Sequence, residues 1–167
     1  LAAAFRFAHD LFRAPGAAQW AWLNSTETRA DWARWTAAVE LAAGTAPDLP
    51  DDPAAYETEF IAAFEAGVPN APVPLIESHY NRRDPVPRLL HENILFYRAF
   101  GLQLKDSSAE TSDHLRHQLE FVAWLLELEA DRADDAEAGE RRDQLRRGRA
   151  EYAARHLLSW LPRAVEK

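Results

Sequence analysis

Residues 111–128 open on four polar side chains, Thr111, Ser112, Asp113 and His114, and pass into one of the most apolar runs of the chain. Leu115, Leu119, Val122 and Leu126 recur at the spacing of one helical face. Phe121, Trp124, Leu125 and Leu128 widen that stripe beyond the usual arc. A helix apolar over most of its circumference belongs in the centre of a domain. Yet Asp113, His114 and His117 crowd its amino end, so the junction is either a cap or a working site.

The rest of the chain is read against that helix. Expected helices cover 1–13, 17–23, 26–43, 53–66, 87–100 and 150–161. Gly16, Gly44, Gly67 and Gly101 stand at their ends, and Pro53 suits a first helical position behind Asp52. No sustained alternation and no Asn-Gly hairpin signal mark a strand. The 167 residues are expected to form one all-α domain, an irregular helical bundle spanning 1–167. Two stretches stand apart. Residues 68–87 carry half of the ten prolines and read as a long non-helical loop of the kind that carries function. Residues 132–149 are charged, with Gly139 and Gly148, and read as a solvated helix or a hinge. Pro162 is expected to end the last helix.

Several functions are excluded. The chain has no cysteine, so thiolate chemistry and Cys-based metal sites are out. No apolar run reaches the roughly 20 residues of a membrane span, and residues 1–12 lack a secretory pattern. Net charge is −8, and the excess of acid lies before Asp131. That acidic body argues against nucleic-acid binding and favours a basic partner. Neither GxGxxG, GxxxxGK nor GxSxG occurs. A metal-dependent helical enzyme using His91, Glu92, His114 and His117 is the alternative, because His114, His117 and Glu120 share a helical edge. The paired Glu-x-x-His motif of bundle metal sites is absent.

Three ordered segments resemble a known family. They are Glu77-Ser78-x-Tyr80 followed by Tyr97-Arg98-x-Phe100-Gly101-Leu102; Asp113-His114-Leu115-x-x-Gln118-Leu119-Glu120-Phe121; and His156-Leu157-Leu158-x-Trp160-Leu161-Pro162. Together they resemble the TorD/DmsD/NarJ chaperones of molybdoenzymes, nearest those serving type II dimethyl-sulfoxide-reductase-like enzymes. Thr111-Ser112 stands where the family often has Glu-Pro, and Gln118 where it often has Glu. The resemblance implies an all-helical, non-catalytic cytoplasmic protein with no cofactor of its own. Its expected partner is the molybdopterin-containing catalytic subunit of a reductase or dehydrogenase, bound through a twin-arginine leader before cofactor insertion. The state expected is a monomer or a dimer with exchanged terminal helices. A basic, apolar leader wants carboxylates beside an apolar groove. Expected partner-binding residues are Glu77, Ser78, Tyr80, Tyr97, Asp113, His114, His117 and Glu120.

Overall fold

The computed structural model describes residues 1–38, 46–67, 70–82, 84–105, 110–131 and 139–167. Among these residues the regular elements are helical, and the only strand-like feature is a single-residue antiparallel bridge between Ile76 and His114. The all-α expectation therefore holds. No helix among them is long and apolar enough to cross a membrane. The chain divides into two compact units, Asp10–Pro74 and a larger one made of Leu1–His9 with Leu75–Lys167.

In the smaller unit, α2 (Ala17–Leu23), α3 (Thr26–Ala38) and α4 (Pro53–Phe60) follow the end of α1 (Ala2–Leu11). Local chemistry sets their starts. The Asp52 carboxylate accepts the Ala54 and Ala55 N–H groups, both at 2.9 Å, with Pro53 in the first turn. Ser25 Oγ accepts the Thr28 N–H at 3.1 Å. The continuation of α3 expected over 39–43 lies outside the described residues. After Phe60 the chain tightens no further but widens into a π-helical turn, Ile61–Glu65. Phe64 meets Phe60 and Phe12 edge-on, at centroid distances of 4.9 and 5.9 Å, and Trp20 Nε1 donates to the Pro50 carbonyl at 2.9 Å. The early tryptophan is thus an internal anchor.

The larger unit is arranged around α7 (Leu115–Ala130). Leu115, Leu119, Phe121, Val122, Ala123 and Leu125 are buried, as the apolar stripe predicts. The Phe121 ring stands edge-on to Tyr152 at 4.5 Å and to Tyr97 at 5.0 Å. Tyr97 comes from α6 (Val86–Ala99), whose buried face is Leu89, Asn93 and Tyr97. Gly101, at φ 85°, lets the chain leave α6 in the left-handed region that side chains avoid. Arg6 of α1 clamps Glu127 of α7 with two hydrogen bonds of 2.9 and 2.8 Å.

Two expectations need correction, and of the two readings of the charged stretch the helix holds from Gly139. Residues 68–87 are not wholly non-helical: α5 (Glu77–Tyr80) forms within them, and α6 starts at Val86 with Pro87 in its first turn. Residues 68, 69 and 83 are outside the described set. From Gly139 the charged stretch is helical, α8 (Gly139–Tyr152), while 132–138 lie outside the described residues. A Cβ on Gly148 would collide with the Phe100 ring, so that glycine serves close packing. Finally, Pro162 does not end a helix. α8 widens into a π-helical turn, Ala153–Leu157, and Pro162 sits in the first turn of α9 (Leu161–Val165), where its missing N–H costs nothing.

Phe121→Ala removes the ring that Tyr97, Phe100 and Tyr152 surround. The expected loss is about 3–5 kcal/mol of unfolding free energy, read by urea titration with an unchanged m-value.

Candidate functional site

The site begins where two distant segments meet. The chain before α5 and the chain before α7 pair across the Ile76–His114 bridge. Leu115 N–H donates to the Leu75 carbonyl at 2.8 Å, and Glu77 N–H to the Asp113 carbonyl at 3.1 Å. Asp113 Oδ2 accepts the Ser78 N–H at 2.9 Å, and Oδ1 accepts the Thr111 hydroxyl at 2.5 Å. Asp113 therefore does not cap the helix that follows it. Its carboxylate caps the first turn of α5, which has no side-chain cap of its own. The cap of α7 falls one residue later: His114 Nδ1 accepts the Arg116 N–H at 3.2 Å.

This latch turns Glu77 inward, where it is fully buried. Glu77 Oε2 accepts Gln118 Nε2 at 2.7 Å and faces His156 Nδ1 at 3.0 Å, with Asn93 Nδ2 at 3.4 Å. A carboxylate oxygen accepts here, so Nδ1 of His156 carries the proton. Gln118 Oε1 in turn accepts the Trp160 indole N–H at 3.0 Å. Asn93 Oδ1 accepts the Tyr152 hydroxyl at 2.7 Å, and Tyr97 donates its hydroxyl to the Ser112 carbonyl at 2.7 Å. Burial raises both phenols well above their ordinary range, which keeps them neutral donors. The result is an internal polar knot joining α5, α6, α7 and the π-turn.

The amino end of α7 forms a second, shallower group. Glu110 binds Arg116 at 2.8 Å and lies 3.7 Å from His114 and 3.6 Å from His117. Burial lowers both imidazoles despite the opposing pull of Glu110. Glu120 is half-exposed and stands 3.6 Å from Arg6. With His117, Tyr97, Phe121 and Leu102 it lines a small cavity of about 80 Å³.

The expected partner-binding residues are therefore split. Glu77, Ser78 and Asp113 come together, but Glu77 and Asp113 are interior. Tyr80 is also buried and stacks on Trp160 at 5.2 Å, and Tyr97 lies in the core. His114, His117 and Glu120 stay near the surface at the start of α7. The metal alternative is not supported geometrically. Among the described residues no three His, Asp or Glu side chains are grouped to hold an ion, and Glu92 is paired with Arg155. Sequence reasoning missed Asn93 and underrated Gln118 and His156. Asn93 had a signal: it interrupts the Leu89–Tyr97 stripe at a position the helical period assigns to the core.

Fold and site together define an all-helical protein whose polar residues hold its interior in one arrangement and leave a charged rim at one helix start. Residues 24–166 match the model of the nitrate reductase delta subunit family, and the chain belongs to that family. It is 39% identical over 107 residues to the selenate reductase assembly chaperone protein of Thauera selenatis, covering 64% of this chain and 53% of that protein. Over the same shares it is 31% identical to the chlorate reductase assembly chaperone protein of Ideonella dechloratans. The perchlorate reductase assembly chaperone protein of Dechloromonas aromatica is 30% identical over 64% of this chain and 46% of its own length. The chain spans about half the length of the curated relatives it matches. A crystal structure of an Archaeoglobus fulgidus protein, described as a redox enzyme maturation protein, covers 87% of this chain and 90% of its own at 18% identity and a TM-score of 0.48.

The lowered imidazoles predict acid sensitivity. An unfolded imidazole takes up its proton near pH 6.5, while His114 and His117 resist until lower pH. Their contribution to stability is fully present above about pH 6.5 and is lost as pH falls below it. His114→Ala removes the cap, at a cost of about 1 kcal/mol at neutral pH. It also flattens part of that acid slope in denaturation curves run between about pH 7 and pH 5.

Proposed function

We propose that this chain is a non-catalytic, cytoplasmic assembly chaperone for the catalytic subunit of a molybdopterin-containing reductase or dehydrogenase. In this reading it binds the subunit, through its N-terminal twin-arginine leader, and holds it until the molybdenum cofactor is inserted. The observation that carries the proposal is the family match over residues 24–166, joined to relatives named as assembly chaperones of selenate, chlorate and perchlorate reductases. The chemistry of the chain supports it. The net charge of −8 favours a basic partner. Glu120 places acid beside Tyr97, Leu102 and Phe121 in one small cavity, and Glu110 adds a second carboxylate beside His117 at the same helix start, a combination suited to a segment both basic and apolar.

The interior position of Asp113 changes how its role is read. Asp113 acts on a partner by fixing α5 and the rim, not by touching the leader. Glu120 and His117 are the side chains assigned to contact.

Co-purification with the cognate catalytic subunit, and calorimetry with its leader peptide, test the proposal. Glu120→Lys is expected to weaken binding by about 1–3 kcal/mol without changing the melting temperature appreciably. Wild-type affinity in that folded variant would remove the α7 start from the binding surface. Failure of the wild-type chain to retain the subunit would remove the chaperone reading itself.

A further inference from the structure

No residue of α1 is fully buried, yet the helix is held against α7. Arg6 donates Nε to Glu127 Oε1 at 2.9 Å and Nη2 to Oε2 at 2.8 Å, and its Nη1 lies 3.6 Å from Glu120 Oε1. Nearer the other end of α1, His9 Nε2 lies 3.4 Å from Nη2 of Arg116, the residue that pairs with Glu110. α1 thus meets the charged rim at the start of α7 and also Glu127 further along it. The guanidinium holds the Glu127 carboxyl below its ordinary range, so the pair is ionised at neutral pH. α1 lies outside residues 24–166, the part that matches the family model, so its role is read from its own contacts.

The contact has the form of a bound ligand. A guanidinium grips one carboxylate with two parallel N–H groups while a second carboxylate stands beside it, as a basic partner would sit on the same face. Here the guanidinium comes from the chain itself. The grip is weak enough to release. Arg6 and Glu127 are each more than a third exposed, in the range where an ion pair contributes little and salt screens it. No fully buried side chain has to be withdrawn when α1 lifts. The grip is also strong enough to compete, because a tethered group faces its site at a high effective concentration. A basic segment approaching Glu120 therefore meets a carboxylate that already has a cation beside it.

We infer that α1 is an autoinhibitory strap. Arg6 stands in for the basic partner on Glu120 and Glu127, and α1 lifts from α7 when that partner takes Glu120. The inference rests on the chaperone reading, which supplies the partner, and adds to it a competitor built into the chain.

Calorimetry on the full chain with the leader peptide of the cognate catalytic subunit tests it, beside a distance measurement. The chain has no cysteine, so Ala3→Cys and Ala99→Cys, both at exposed positions, take spin labels on α1 and α6. Arg6→Gln is expected to bind the peptide about two- to sixfold more tightly than the unchanged chain, the range in which a half-exposed ion pair holds a site closed. Arg6→Lys keeps the charge but gives up the paired donors; it falls between the two and carries the test should Arg6→Gln not fold. In the labelled chain the peptide adds a longer distance to the single one of the free state. Where the unchanged chain binds the peptide, equal or weaker binding by each Arg6 variant that folds overturns the strap and leaves the chaperone reading standing. A distance that bound peptide leaves unchanged does the same. If neither the unchanged chain nor the variants take up peptide or subunit, the chaperone reading falls and the strap with it. Binding by Arg6→Gln alone supports both.

Discussion

One carboxyl oxygen, Oε2 of Glu77, holds four elements of the larger unit together. It gathers Gln118 from α7, His156 from the π-turn and, more loosely, Asn93 from α6 around the single turn of α5. A carboxyl group out of water is costly unless its hydrogen bonds are rebuilt inside. Two of its neighbours are in turn held by another residue: Gln118 by Trp160, Asn93 by Tyr152. Such a network is unforgiving, because deleting one member leaves several donors stranded in a low dielectric. Burial of apolar surface, that of α7 included, drives folding. The network decides which of many apolar packings is adopted.

The network depends on a device outside it. Glu77 sits in a helix of only four residues, far too short to persist alone. Asp113 makes up the deficit from 35 residues away by accepting the Ser78 N–H, and the Ile76–His114 bridge holds the two backbones in register. The acid of the Asp-His pair thus belongs to one helix and its imidazole to another. Substituting either would disturb both ends of the junction, which is why adjacent residues of such different chemistry act as one unit.

The architecture was readable where periodicity was strong. The stripe from Leu115 to Leu125, the Asp52-Pro53 start and the Gly101 stop are local features with local causes, and they fell where expected. Two things were not readable. A four-residue helix capped in trans has no local signature, so α5 vanished into the proline-rich stretch. Glu77 and Tyr80 looked like surface groups because they lay in an apparent loop; only the tertiary latch takes them inside. His156 was readable as an inward position, with Tyr152, Leu157 and Trp160, and all four are buried; its pairing with Glu77 across 79 residues was not readable.

The extra residue of the π-turn sets the phase of everything after it. The Ala153–Leu157 turn, closed by the Leu158 N–H on the Ala153 carbonyl at 2.8 Å, holds one residue more than an α-helical turn. Removing that residue would rotate everything downstream by about 100°. Trp160 would swing away from Gln118, and Arg163 from the Tyr80 carbonyl. Drift can exchange side chains along this C-terminal arm, but it cannot change the arm's length by one residue without dismantling the centre.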